Sequence, residues 1–83
     1  MNVQVAILPK VVERIDALLA AQPTDPLDVL HVLADTFGAF SRFKFGTHEL
    51  TIAGLKITST AGGYTMVTAW KARAQRIIAE QAR

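Results

Sequence analysis

Residues 42–60 read RFKFGTHELTIAGLKITST, and this stretch decides the fold. Apolar and polar side chains alternate along it, with glycine-containing breaks at Gly46-Thr47 and Ala53-Gly54. A period of two marks a half-buried strand, and short glycine breaks between such runs mark hairpin turns. Taking each dipeptide as a two-residue turn sets a register. Phe45 then pairs with His48, Lys44 with Glu49 and Phe43 with Leu50; past the second turn, Ile52 meets Leu55, Thr51 meets Lys56 and Leu50 meets Ile57. Phe43, Phe45, Leu50, Ile52, Leu55 and Ile57 share one face, and Arg42, Lys44, Glu49, Thr51, Lys56, Thr58 and Thr60 share the other. Both turns yield the same partition, which supports a three-stranded meander. The second turn carries a chemical objection. Alanine resists the positive φ that a type I′ turn demands, so a bulge there is the alternative.

Both flanks of the meander read as helices. On the C-terminal side Ala61, Gly62 and Gly63 break the sheet, and Met66, Val67, Trp70, Ala74, Ile77 and Ile78 recur at helical spacing. Thr65, Val67 and Thr68 have strand propensity, yet the longer period predicts a helix from about Gly63 to Gln81. On the N-terminal side Asp25 can cap, Pro26 suits the first helical position and Asp28 lies in the first turn. Leu27, Leu30, Leu33, Ala34, Phe37 and Phe40 form one stripe of that helix. Val29 and Val32 widen it well around the cylinder, and Gly38 weakens its end. An earlier helix spans Lys10 to Gln22, with Val11, Val12, Ile15, Leu18 and Leu19 on one side and Pro23 as its stop. Before it, Val3, Val5 and Ile7 alternate with Asn2, Gln4 and Ala6, which reads as a short and doubtful first strand.

These elements predict one small α+β domain over residues 1–83, in the order β-α-α-β-β-β-α with the first strand doubtful. Three helices pack on one face of the meander, with Leu30, Phe37, Trp70 and Ile77 against it. Hydrophobic residues make up 51% of the chain and charged residues 19%, too apolar a balance for a disordered chain. A chain of this size buries only about 60–65% of its unfolded surface, so so much apolar material points to a partner. There is no cysteine, hence neither a disulfide framework nor a thiolate zinc site. The first eight residues lack a basic start and are not read as a signal peptide, and no apolar run approaches the roughly 18 residues of a membrane span. A cytoplasmic location is the expectation.

Chemistry is sparse. Asp28, His31 and Asp35 lie on one helix face, but a local set with one histidine falls short of a metal site. His48 and Glu49 are adjacent in a strand and point to opposite faces, so they do not act as an acid–base pair. The run Thr58-Ser59-Thr60-Ala61-Gly62-Gly63 precedes a helix but lacks the phosphate-loop and dinucleotide patterns, and an ordinary strand-to-helix connection explains it. No enzyme, cofactor, metal or small-molecule substrate is therefore expected. The leading expectation is a protein–protein interaction or assembly module, a homo-oligomer or a binder of another protein, with Val29 and Val32 as the apolar contact if they are exposed. The alternative is a nucleic-acid-binding accessory protein. Acids outnumber bases up to Ser41 and bases outnumber acids from Arg42 on, and Arg42, Lys44, Lys56, Lys71, Arg73 and Arg76 would make the phosphate contacts. With Phe43 and Phe45 on the inner face, that outer face lacks the stacking aromatics of sheet-type RNA binders.

Overall fold

A computed structural model describes residues 3–22 and 25–81. Pro23, expected to stop the first helix, and Asn2, part of the doubtful strand, lie outside them.

The chain builds helix α1 (Leu8–Ala20), helix α2 (Pro26–Phe37), strands β1 (Phe40–Lys44), β2 (Thr47–Ile52) and β3 (Leu55–Ser59), and helix α3 (Gly63–Gln81). The strands form an antiparallel meander in the order β1-β2-β3. This is the expected α+β arrangement, and α3 covers the bounds read from its periodicity. The doubtful first strand is not formed. Val5–Ile7 make a short 3-10 turn that runs directly into α1. Pro9 stands in the first turn of α1, where its fixed φ favours helix and its missing N–H costs nothing. The preceding residues coil with it. One hydrogen bond, from Gln4 N to Ala53 O at 2.8 Å, ties this entry segment to the β2–β3 turn.

The core lies between the inner sheet face and the helices. Leu8, Val11, Val12 and Ile15 of α1 recur at i, i+3, i+4 and i+7 and are buried. They meet Met66, Val67, Trp70 and Ala74 of α3, which in turn lie under Leu50, Ile52 and Leu55. Trp70 is fully buried and donates its indole N–H to the Leu55 carbonyl at 2.9 Å, so its polar atom is satisfied inside the core. An ion pair between Lys71 and Asp16 joins α3 to α1 at the rim.

Helix α2 starts as its sequence predicts: the Asp25 carboxylate accepts from the Leu27 N–H at 2.9 Å. It ends at Gly38, whose φ of +69° is the left-handed cap that glycine adopts without strain. Ala39 N then donates to Leu33 O, closing the cap. Phe40 therefore leaves the helix stripe to which its spacing assigned it and becomes the first residue of β1.

The sheet register corrects half of the expectation. Across the second turn Ile52 pairs with Leu55, Thr51 with Lys56 and Leu50 with Ile57, as read from the sequence. Across the first turn Lys44 pairs with Thr47, Phe43 with His48, Arg42 with Glu49 and Ser41 with Leu50. The turn is Phe45-Gly46, not Gly46-Thr47. Both turns have positive φ at each central residue: Phe45 +53° and Gly46 +76°, Ala53 +53° and Gly54 +81°. This is the type I′ pattern, whose twist matches that of the flanking strands, and alanine adopts it here without a bulge. The slip of β1 is two residues, so its side chains keep their faces. Only Phe45 changes role, from inner-face strand residue to turn tip.

Candidate protein-interaction site

Helix α2 buries less of its apolar arc than its sequence offers. Val29 and Leu33, one turn apart, are buried, and Leu30, Val32 and Phe37 are half-buried. The covered side is turned roughly a sixth of a turn from the stripe centred on Leu30. Val29 is thus 1% exposed and belongs to the core. The expectation that it marks a free contact surface does not hold for it, because α1 and α3 close over this side of α2. The side carrying Leu27 and Ala34 is left outside instead.

That side borders a cleft. Leu27 and Leu30 face Ser41, Phe43 and His48 of the sheet, with Met66 and Gly63 of α3 behind, around a space of about 310 Å³. A smaller hollow of about 120 Å³ continues along α2 past His31 and Ala34 to Ala39 and Leu50. The cleft exists because α3 underlies β2 and β3, while no helix underlies β1 to the same extent. At its wall the rings of Phe43 and His48 sit 4.6 Å apart and tilted by 46°. They form a directly opposed cross-strand pair. Gly62 backs onto the imidazole so closely that a Cβ there would lie 2.8 Å from His48 Cε1.

Among the described residues the exposed large hydrophobics are Leu27 (57%), Phe40 (61%), Phe43 (63%) and Phe45 (92%). All gather on or beside β1. Every residue of that strand is exposed, and β1 is an edge of the sheet. In a two-residue hairpin the pair flanking the turn is hydrogen-bonded, and bonded and non-bonded pairs alternate from there. Lys44, Arg42 and Phe40 therefore bond to β2. Ser41 and Phe43 aim their N–H and C=O groups away from the sheet.

The outer sheet face carries Phe40, Arg42, Lys44, Glu49, Thr51 and Lys56. Glu49 sits between two cations: Arg42 Nε at 2.9 Å from one carboxylate oxygen and Lys56 Nζ at 3.2 Å from the other. Hydrogen bonding to Arg42, then to Lys56, holds the Glu49 carboxyl below the usual glutamate range. Lys44 lies over the Phe45 ring, 5.3 Å from its centroid. The six basic residues expected to act together are divided. Arg42, Lys44 and Lys56 share the outer sheet face, whereas Lys71, Arg73 and Arg76 ride on α3 in the layer beneath the inner face. Two of the outer three are bound to Glu49, and Lys71 is bound to Asp16. Phe40, however, gives the outer face the exposed aromatic that its sequence reading denied it.

Among the described residues no group of three His, Asp or Glu side chains converges to hold a metal ion, so Asp28, His31 and Asp35 do not form a cluster of that kind. Among the described residues no helix is long and apolar enough to cross a membrane. The chain matches no family model, no curated protein and no solved structure.

Sequence reading misses the aromatic site because a Gly46-Thr47 turn starts one residue late. The signal was present. Gly54 stands second in its turn, and giving Gly46 the same place moves Phe45 to the tip and Phe43 opposite His48.

Proposed function

We propose that the chain is a self-associating protein-interaction module that docks through strand β1 and the aromatic surface around it. One observation carries this reading: the exposed large hydrophobics cluster on an open sheet edge instead of scattering over the molecule. Isolated exposed apolar residues are ordinary, but Phe43 on the inner side, Phe40 on the outer side and Phe45 at the tip of one open strand edge make that edge a docking surface or an aggregation hazard. Three phenylalanines exposed by 61–92% offer on the order of 400 Å², since such side chains bury about 150–250 Å² each. A stable interface takes about 800 Å² per partner. Aromatic contacts thus supply about half, and the strand edge with the α2 cleft must supply the rest, which places the dimer at the weak end.

Phe45 adds a second line of support. A bulky residue at a left-handed turn position carries strain of about 1–2 kcal/mol, and at 92% exposure it regains almost none of it by burial. The Lys44 ammonium over its ring offsets only about 0.5 kcal/mol of this, so the side chain is a net cost to the lone chain.

Sedimentation equilibrium from about 10 µM to about 500 µM tests the proposal. The intact chain is expected to approach the dimer mass at the upper end. Phe40→Ser with Phe43→Ser is expected to weaken association at least about tenfold, the usual scale for losing aromatic anchors, while leaving the far-UV circular dichroism unchanged. A monomer throughout the range overturns the reading. The nucleic-acid alternative is favoured by Phe40 beside Arg42 and Lys56, and opposed by the occupation of both cations by Glu49. Steeply salt-dependent polarisation of a labelled single strand would support it.

A further inference from the structure

We infer that two copies join β1 to β1 antiparallel about a two-fold axis at Ser41, making one continuous six-stranded sheet; this rests on the self-association proposed above. The outward-aimed N–H and C=O groups belong to Ser41 and Phe43, so an added strand must bond to these residues. For two helical layers to end on the same side of a joined sheet, opposed residues must share a face. Five centres lie within β1: Phe40 would need Gly38, held at φ +69°, to pair as an extended residue, and Lys44 would oppose its own copy, which leaves Ser41, Arg42 and Phe43.

Side-chain chemistry chooses among them. Centring on Phe43 sets Arg42 against Lys44 twice and asks Phe45, whose φ is +53°, to pair as an extended residue. Centring on Arg42 sets that guanidinium directly against its own copy, and like charges opposed across strands destabilise the pair. Centring on Ser41 opposes no like charges. Ser41 faces Ser41 of the second copy on the inner face, with Phe43 over the small Ala39. On the outer face Arg42 meets Phe40 of the second copy on both sides of the axis, a cation over an aromatic ring. Glu49 stays behind each Arg42 at 2.9 Å, so the outer surface runs carboxylate, guanidinium, ring across the junction in both directions. Ala39 N is engaged by Leu33 O, but its carbonyl remains to accept from Phe43 N, and Ser41 exchanges two bonds with its copy.

The chain has no cysteine, so single cysteines read the alignment directly. A hydrogen-bonded opposed pair holds its Cα atoms about 5.5 Å apart, within the roughly 4.4–6.8 Å of a disulfide. A residue displaced by two positions from its own copy stands about 8 Å away, too far to bridge. Ser41→Cys, Arg42→Cys and an exposed control on α3, Thr68→Cys, are oxidised at a concentration where the parent chain dimerises, with circular dichroism confirming each fold. Ser41→Cys is expected to cross-link at least about tenfold faster than both others. Faster cross-linking of Arg42→Cys, or a Ser41→Cys rate equal to the control, overturns the Ser41-centred alignment. A parent chain that dimerises while Ser41→Cys stays at the control rate sinks this alignment alone, whereas a parent chain that stays monomeric sinks self-association with it.

Discussion

Replacing Phe45 by asparagine is expected to strengthen the fold and weaken the contact at the same time. Phe45 holds φ +53° in the first central position of the β1–β2 turn, a region costing an ordinary side chain about 1–2 kcal/mol. Asparagine tolerates that region, and Asn-Gly is the preferred pair for this turn type. Against the relief stands the loss of the Lys44 ammonium over the ring at 5.3 Å, about 0.5 kcal/mol at an exposed site. Burial lost is negligible at 92% exposure. The balance is a gain of about 0.5–1.5 kcal/mol, which raises Tm by about 2–12 °C for a domain of this size. Thermal and urea unfolding followed by circular dichroism must be run well below the association range, since dimerisation itself lends apparent stability. Sedimentation at high concentration should show the same variant associating less. A lower Tm for Phe45→Asn in the dilute monomer would refute the strain argument and return Phe45 to a structural role.

Three further outcomes are expected. Gly62→Ala should destabilise by up to about 1 kcal/mol in urea unfolding, because its Cβ, 2.8 Å from the His48 imidazole, makes that ring swing aside and leave Phe43; adding His48→Ala should recover part of the loss, and strict additivity of the two changes would contradict the clash. Trp70→Phe removes a buried ring's bulk and its bond to Leu55 O, and should cost about 2–4 kcal/mol; a loss under about 0.5 kcal/mol would show that α3 does not seat on β3 through this side chain. The Glu49 carboxyl, lowered by Arg42 and Lys56, contributes stability that is present above the ordinary glutamate value and lost as pH falls through the folded one. Unfolding curves of the parent and Glu49→Gln should therefore converge on acidification, and a gap that stays constant with pH would contradict the linkage.

The fold was legible where side-chain chemistry and period agreed. Asp25, Pro26 and Asp28 announced α2, and the spacing from Met66 to Ile78 announced α3. Leu50, Ile52, Leu55 and Ile57 set the β2–β3 hairpin even with alanine in its turn. Reading failed where two local rules competed. Val3, Val5 and Ile7 alternate like a strand, but five residues of alternation yield to a proline-primed helix start. The broad apolar arc of α2 fits more than one orientation, and only its packing on α1 and α3 decides that Val29 goes inward and Leu27 outward. Placing Gly46 first in its turn, when type I′ pairs favour glycine second, hid Phe43 and Phe45. The site is therefore less visible than the fold, because it consists of whatever apolar surface packing leaves over.

The chain's one tryptophan sits at the seam of α3 and β3 with no solvent exposure and its indole N–H engaged, far from the open side of β1. Its intrinsic fluorescence is a built-in gauge of whether helix and sheet remain joined. Emission should shift to longer wavelength when that seam parts and stay constant when copies come together. One optical signal thus separates melting from assembly in the same cuvette, without any attached dye.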